Sequence, residues 1–462
     1  MDPTLKHSEP SFRVWKLFLL FGLLLTGLAG VLAAAFALQN KVLKPLPAAV
    51  ADMLPGLSPL LALAASVTIL VLLTFLMWRA ACLAASGCDP APLLAGFTLA
   101  GVGYLLLVRL APDIAAARGR DVLAGLAGRQ FAWLLLGVAA FLAGLWAARP
   151  SVLRRLARRR YWFAVLAVAL IAATGLFGQI INGRRLWLPL GPVQFQTIEL
   201  VKLLVIFFAA SFFAERSSAP ASPLVSGPRR GLRLHVLGPF VVTASLFVLP
   251  VIAQGDLGPA LLLSLFMLLM FHLAEGSILW PLAGLGTIVG ASVAAYTFGW
   301  PSMVRTRFDM WLDPFHTSEV LSQSLWALAD GGLLGTGFGQ GWSGRIPIVQ
   351  SDFNFTAWCE ETGWVGGAGM MTLYAVIACR GLLAAQAQSN LYRRHLAAGI
   401  SCMIALQALI IIGGNMGILP LTGITLPFVS YGGSSLLVSF FMLGMLAGCS
   451  GREEPAVQGG KG

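Results

Sequence analysis

The chain has 462 residues, of which 58% are hydrophobic and only 11% are charged, and its formal net charge is +12. Soluble domains are about 45–50% apolar and about 25% charged, so the composition excludes a large soluble protein. The arginines lie in short loops beside apolar runs of about 20 residues, a pattern typical of polytopic helical membrane proteins and not of nucleic-acid binding.

Twelve apolar runs predict an all-α polytopic membrane protein with about twelve transmembrane helices. The first run is too long for the apolar core of a signal peptide, so we expect it to span the membrane. The predicted spans lie near 14–38, 58–78, 91–111, 130–148, 161–181, 196–214, 236–253, 258–274, 278–299, 356–379, 395–414 and 430–450.

Arginine-rich connectors set the predicted orientation. Residues 149–160, 215–234 and 380–394 fall on the same side as both termini, and the positive-inside rule assigns that side to the cytoplasm. Residues 112–129 carry arginines on the opposite side, but aspartates accompany them and one loop does not outweigh three. The connectors expected to face outward are 182–195, 254–257, 300–355 and 415–430.

The first polar stretch on the predicted outer side covers residues 182–192 and reads Asn-Gly-Arg-Arg-Leu-Trp-Leu-Pro-Leu-Gly-Pro. Arg184 and Arg185 suit a diphosphate, because guanidinium groups match phosphate oxygens. Glu199 and Lys202 start the next helix three residues apart, so they share a face and can pair. The alternative is a helix-start ion pair with an interfacial Arg-Trp anchor, although ionisable residues entering a span are usually functional.

The next outward stretches also carry charged residues. Asp256, in Gln-Gly-Asp-Leu-Gly-Pro over 254–259, either caps the following helix or belongs to a site. A glycine-rich run over 331–341 has no preceding strand, so a re-entrant or amphipathic lid over a cavity fits it better than a dinucleotide fold. Other polar residues of the long connection are Arg305, Arg307, Gln323 and Ser324.

Asp352 ends the long connection, at a predicted membrane boundary and amid aromatic residues. A carboxylate beside low-dielectric walls can hold a raised pKa and accept a proton. The alternative role is an N-cap for the next helix. We therefore single out Asp352 as a candidate general base.

Residues 415–436 contain too much glycine and proline for an ordinary transmembrane helix, although apolar runs flank them. Irregular backbone at membrane depth is tolerated where protein buries it or where it lines a wet cavity. A helix start with exposed N–H groups is a natural anion site, whereas the alternative is helix packing through glycine. The residues around this predicted start are Ser430, Tyr431, Gly432, Gly433, Ser434 and Ser435.

Five ordered motifs over about 160–450 resemble the SEDS family of FtsW, RodA and SpoVE. Ile348 and Gln350 stand where that family usually has Glu and His, and Leu186 stands where a second Arg is common, so we expect a divergent member. Besides the 415–436 stretch, the long connection matches at Asp313-Pro314, at Gln323-Ser324 and in the glycine-rich run 331–341. The other matching residues are Arg185, Trp187, Gln196, Glu199, Lys202, Gln254, Asp256, Leu257, Gly258, Asp352, Phe353, Phe355, Glu360, Glu361 and Gly363.

The resemblance implies a ten-helix core at 91–450, two additional N-terminal helices within 1–90 and a cytoplasmic tail at 451–462. It implies an inverting glycosyltransferase that polymerises lipid II at the outer face of the bacterial cytoplasmic membrane, for division or cell shape, with Asp352 as the catalytic base. Implied partners are lipid II, undecaprenyl diphosphate-linked glycan, membrane lipid and a class B penicillin-binding protein.

The leaving diphosphate needs positive charge nearby. A divalent cation, Mg²⁺ or Mn²⁺, is a further candidate for that task, and the sequence does not assign its ligands. The candidate cationic residues are Arg184, Arg185, Lys202, Arg305 and Arg307.

Twelve spans and inward charges also suit a flippase for a lipid-linked precursor. Many transporters contain two related halves with broken helices, and this sequence shows no internal repeat. A pure scaffold is a third alternative, and it would not need an acidic residue at position 352.

Overall fold

The computed structural model describes residues 59–84, 88–118, 125–181, 184–190, 193–218, 234–299 and 301–451. The predicted span 14–38 and the tail 452–462 lie outside the described residues, as do residues 182–183 and 191–192 of the first polar motif. The side chain of Arg184 also lies outside them.

Eleven long helices occupy the positions of the other eleven predicted spans, within the part of the chain that the structure describes. They are α1 (Pro59–Ala84), α2 (Pro90–Arg118), α3 (Leu126–Ala147), α5 (Arg160–Phe177), α6 (Thr197–Ser218), α7 (Leu234–Ala253), α8 (Leu257–Glu275), α9 (Leu279–Phe298), α13 (Asn354–Gln386), α14 (Leu391–Asn415) and α15 (Gly433–Ser450). The shorter helices are α4 (Pro150–Ala157), α10 (Ser302–Leu312), α11 (Pro314–Thr317) and α12 (Glu319–Gly331).

Nine of the described helices are long and apolar enough to cross a membrane. The described side chains of α1 and α7 add shorter apolar segments, Leu72–Ala84 and Leu237–Ala253. The prediction of a polytopic, predominantly α-helical membrane protein is therefore confirmed.

A three-stranded antiparallel sheet follows α5, and the sequence did not predict it. Its strands are β1 (Gln179–Ile181), β2 (Arg184–Leu190) and β3 (Val193–Gln196), in the order β1-β2-β3. The predicted span 161–181 is helical only to Phe177. Backbone groups that leave a helix near a membrane still need partners, and strand pairing supplies them locally.

Glycine allows α3 and α15 to pack closely. A methyl group on Gly144 of α3 would collide with the Phe441 carbonyl of α15, and one on Gly444 of α15 would collide with the Phe141 carbonyl of α3. Small residues let membrane helices approach backbone to backbone in this way.

Burial differs sharply among the spanning helices. Most of α6 and α14 is buried within the protein, whereas α9 has no buried residue. The centre of the bundle therefore includes α6 and α14, and α9 lies at its periphery. Glu199 and Lys202 of α6 and Gln407 of α14 are buried at this centre.

Candidate active site

Asp352 follows a tight turn at the entrance to α13. The backbone N–H groups of Ser351 and Asp352 both donate to the Ile348 carbonyl, each at 3.0 Å. The N-cap position of α13 belongs to Phe353, without a side-chain capping bond. The N-cap role considered for Asp352 is therefore not what this geometry shows.

Arg307 and Asp352 meet at Gly423. A methyl group on Gly423 would lie 3.7 Å from Arg307 Nη2 and 3.7 Å from Asp352 Oδ2. Burial raises the pKa of Asp352 above its ordinary value, while a hydrogen bond from Ser351 and the charge of Arg307 act in the opposite direction. A carboxylate with a raised pKa is suited to accept a proton.

The Gly423→Ala protein is expected to lose activity as well as stability. Gly423 has a φ of 68°, so alanine adds strain of about 1–2 kcal/mol. Its methyl group would also lie in van der Waals contact with the Arg307 and Asp352 side chains and fill space that they share. Gly276→Ala is the matched control, because Gly276 has a φ of 69° and no heavy atom within 4 Å of the added methyl group. Thermal unfolding and glycan synthesis would be measured; equal activity in both variants would contradict the prediction.

The segment between α14 and α15, residues 416–432, is named the site loop. Hydrogen bonds join this loop to the turn that precedes Asp352. Tyr431 N donates to the Gln350 carbonyl at 2.8 Å, and Ser430 Oγ donates to the Ser351 carbonyl. Ser430 Oγ also accepts from Leu426 N at 2.9 Å. Two of the six residues predicted from the fourth motif, Ser430 and Tyr431, thus hold the backbone that carries Asp352.

Three further elements fix the same loop and its start. Trp311 of α10 donates from Nε1 to the Gly417 carbonyl at 2.8 Å. Ser324 of α12 donates to the Asn415 carbonyl at 3.2 Å. Tyr374 of α13 donates to the Pro427 carbonyl at 2.5 Å. Side chains of three helices therefore donate to carbonyl groups along this irregular backbone.

A buried polar network anchors the middle of the site loop. Lys202 Nζ lies 2.7 Å from Glu199 Oε2 and donates to Gln407 Oε1 at 2.7 Å. Gln407 Nε2 donates to the Thr425 carbonyl at 2.6 Å, and Thr425 Oγ1 donates to Ser435 Oγ at 2.7 Å. The predicted pairing of Glu199 with Lys202 is confirmed. The structure places Lys202, 2% exposed, in this network beside the loop.

Arg305 and Arg307 point in different directions from α10. Residues two apart on a helix do not face each other. Arg305 is exposed, and its Nη1 would lie 3.5 Å from a methyl group on Gly299. Arg307 therefore lies beside Gly423 with Asp352, whereas Arg305 lies beside Gly299.

The second polar motif, residues 254–259, contacts the site loop through Gly258. Asp256 is buried at the N-cap position of α8 but makes no capping bond there. Gly258 is packed so closely on the site loop that a methyl group would collide with the Thr422 carbonyl. Thr422 precedes Gly423, so the second, third and fourth motifs converge on one segment.

Other predicted site residues make local contacts. Arg185 donates to the Leu176 carbonyl at 3.0 Å, at the end of α5. Gln196 is buried and pairs with Trp187 in the sheet. Gln323 Nε2 donates to Glu319 Oε1 at 2.9 Å, within α12.

Arg109 of α2 was missed by reasoning from the sequence. It forms ion pairs with Asp113 at 2.5 Å and Glu361 at 2.9 Å, and it donates to the Gly341 carbonyl at 2.9 Å. A lone arginine inside an apolar run was the available signal, because such residues are costly and usually paired. Arg109 ties α2 to α13 and to the glycine-rich run.

The glycine-rich run 331–341 packs on the first turns of α13. Thr336 N donates to the Glu360 carbonyl at 2.9 Å, and Gly337 N donates to the Glu361 carbonyl at 3.1 Å. The Glu360 carboxylate accepts from Ser343 N at 2.9 Å. These bonds tie the run to α13 at several points.

The described residues include no group of three or more His, Cys, Asp or Glu side chains arranged to hold a metal ion. Asp352 therefore has no such companions within the described part of the chain. No ligand set is assigned for a divalent cation.

Comparison with known proteins gives consistent matches. The FtsW/RodA/SpoVE model, described as cell cycle protein, matches residues 93–454. The peptidoglycan glycosyltransferase RodA of Mycobacterium leprae is 35% identical over 331 residues, covering 70% of this chain and 69% of that protein. The probable peptidoglycan glycosyltransferase FtsW of Thioalkalivibrio sp. is 34% identical over 332 residues, covering 69% of this chain and 78% of that protein.

A solved structure is also similar. It comes from work on the structural coordination of polymerization and crosslinking by a peptidoglycan synthase complex. The matched chain is 26% identical with a TM-score of 0.62, and the similarity covers 78% of this chain and 97% of that chain.

Proposed function

Because the chain belongs to the FtsW/RodA/SpoVE family of cell cycle proteins, we propose that it is a multi-pass membrane glycosyltransferase that polymerises peptidoglycan strands. The observation that carries the proposal is the meeting of Asp352, Arg307 and the site loop. A general base and a cation are what glycosyl transfer from a diphosphate requires.

Asp352 acts as the general base of the transfer. Its carboxylate takes the proton from the 4-hydroxyl of an acceptor N-acetylglucosamine. The oxygen attacks the anomeric carbon of the donor N-acetylmuramic acid as the bond from that carbon to the diphosphate oxygen breaks. The new bond forms with inversion, and polyprenyl diphosphate leaves with the electron pair. The substrate is lipid II, and the product stays linked to the membrane through the undecaprenyl diphosphate of the acceptor, since that of the donor has left.

Arg307 stabilises the negative charge that develops on the leaving diphosphate. Its guanidinium group shares the neighbourhood of Gly423 with Asp352, so acid–base and electrostatic groups converge on one point. Fixed cations aimed at developing charge supply a large part of catalysis in many enzymes. Arg184, Arg185 and Arg305 remain candidates for binding the substrate outside this point.

The reaction takes place at the outer face of the bacterial cytoplasmic membrane. Alternation of successive spanning helices supports this assignment, because it puts Asp352 on the side opposite the arginine-rich segment 149–160. Lipid II then presents its sugars outside while its polyprenyl tail stays in the bilayer.

A class B penicillin-binding protein is the proposed partner, which cross-links the strands during division or cell-shape maintenance. The structural neighbour from a peptidoglycan synthase complex supports this pairing. We also propose that residues 91–450 form the family core and that helices within 1–90 are an addition. The family match beginning at residue 93 supports that division.

Purified protein incubated with lipid II tests the proposal. The expected result is glycan strands of many disaccharides, resolved by gel electrophoresis after the stem peptides are labelled. The same preparation in liposomes would be tested for lipid II translocation. Translocation without polymer would contradict the proposal and favour a flippase.

A further inference from the structure

Two residues have a backbone conformation that their side chains disfavour. Ile348 has a φ of 55° and Phe428 a φ of 67°, and no other non-glycine residue in the described part of the chain has a positive φ. The left-handed region is strained for L residues, most of all for β-branched and bulky ones. Such strain persists only where the surroundings impose it, and it clusters at active sites.

Both residues lie in the two turns that meet beside Asp352. Ile348 opens the turn whose Ser351 and Asp352 N–H groups donate to its carbonyl. Phe428 lies in the turn in which Val429 N and Ser430 N donate to the Leu426 carbonyl, at 3.2 and 3.0 Å. The strain is therefore confined to the segments that carry and hold the candidate base.

The Phe428 turn is held by its own surroundings. The Phe428 ring is 1% exposed and packs edge-on against Phe440, with 5.6 Å between ring centroids. The preceding carbonyl, of Pro427, accepts the Tyr374 hydroxyl. Packing and a buried hydrogen bond together fix this turn rigidly in the protein.

Ile348 itself has no comparable packing, although its neighbours Ile346 and Val349 are fully buried. The Ile348 side chain is 43% exposed, so burial does not impose its conformation. The partner turn holds the end of the Ile348 turn that leads to Asp352: Tyr431 N donates to the Gln350 carbonyl, which also accepts from Asn354 Nδ2, and Ser430 Oγ donates to the Ser351 carbonyl. The rigid turn therefore constrains the strained one.

We propose that residues 346–352 and 426–431 form a latch, in which Ile348 is a positioning residue and Ser430 is the clasp that holds Asp352 toward Gly423. This inference rests on the proposed role of Asp352 as the base. When the Ser430 hydroxyl is removed, the backbone of Ile348 leaves the strained left-handed region. The turn then moves Asp352 away from its position. When glycine at position 348 removes the backbone strain as well, no strain drives the turn out of its conformation.

A double-mutant cycle tests the latch. Ser430→Ala is expected to lower kcat for lipid II polymerisation about 10-fold with KM within about 2-fold, because a displaced catalytic group costs rate more than binding. Adding Ile348→Gly is expected to restore kcat to within about 3-fold of wild type. Ile348→Val is the matched control, because it keeps the β-branch, and it should not rescue Ser430→Ala. Rescue by Ile348→Gly but not by Ile348→Val would show that positions 348 and 430 are coupled, because the effects of independent substitutions add.

Thermal unfolding gives a second readout that does not depend on catalysis. Ile348→Gly alone should raise the unfolding midpoint by about 1–3 °C, because glycine adopts a positive φ without strain. A lower midpoint, or a double variant as slow as Ser430→Ala, would overturn the latch. Asp352→Asn is assayed alongside: full activity in that variant would overturn the base itself, whereas an inactive Asp352→Asn with no rescue would overturn the latch alone.

Discussion

The Asp352→Asn protein is expected to polymerise lipid II about 10²- to 10⁴-fold more slowly than the wild type, the range that general-base groups contribute. The amide keeps the size of the side chain but cannot take the proton from the acceptor hydroxyl. The measurement is the initial rate of strand formation by purified protein at saturating lipid II. A rate within threefold of wild type would remove Asp352 from the mechanism.

Folding should not account for that loss. Burial raises the pKa of Asp352 in the folded protein, so the folded state holds its proton to a higher pH than the unfolded state does. Stability then falls as pH rises from the unfolded pKa through the folded one, and the ionised carboxylate costs stability at neutral pH. Asp352→Asn removes this cost and should be at least as stable as wild type. Asp330→Asn, an exposed carboxylate bonded to Trp342 Nε1 at 2.8 Å, is the matched control for activity.

The Lys202→Met protein is expected to be destabilised by about 3–5 kcal/mol, the typical result of removing one partner of a buried ion pair. Glu199 would be left as an uncompensated charge, 3% exposed, and Gln407 would lose its donor. The site loop would also lose part of its anchor, since Gln407 holds the Thr425 carbonyl. The measurements are the yield of folded protein and its midpoint of unfolding in detergent.

A double variant separates loss of pairing from loss of volume. Glu199→Gln combined with Lys202→Met removes both charges and should recover much of the lost stability. Arg160→Ala is the surface control: its partner Glu215 is 60% exposed, so the change should cost less than about 1 kcal/mol. If Lys202→Met were as stable as Arg160→Ala, the network would not hold the loop as described.

Much of the fold could be predicted because a membrane imposes a simple rule. Spanning helices must be long and apolar, and eleven of twelve predicted spans coincide with described helices, with 14–38 outside the described residues. The edges were less predictable. Helix α2 runs through Pro112 to Arg118, and α5 gives way to strands at Gln179, because backbone pairing and not hydropathy decides where a helix ends.

The site was predictable where chemistry is local and unpredictable where it depends on packing. Spacing alone indicated the Glu199–Lys202 pair, and a carboxylate at a membrane boundary indicated Asp352. The choice of Arg307 over Arg305 depends on how α10 turns toward the site loop. The roles of Gln407 and Arg109 were missed because most of their partners lie far away along the sequence, although a lone arginine within an apolar run was a signal for Arg109.

The role of Asp352 as a base is tested most directly by the pH dependence of kcat/KM for lipid II polymerisation. Activity should rise through one acidic limb, because the base must be ionised, with a midpoint above the ordinary aspartate pKa of about 3.9. Residual activity of Asp352→Asn should lack that limb. Persistence of the same limb in Asp352→Asn would contradict the mechanism, because another group would then supply the base.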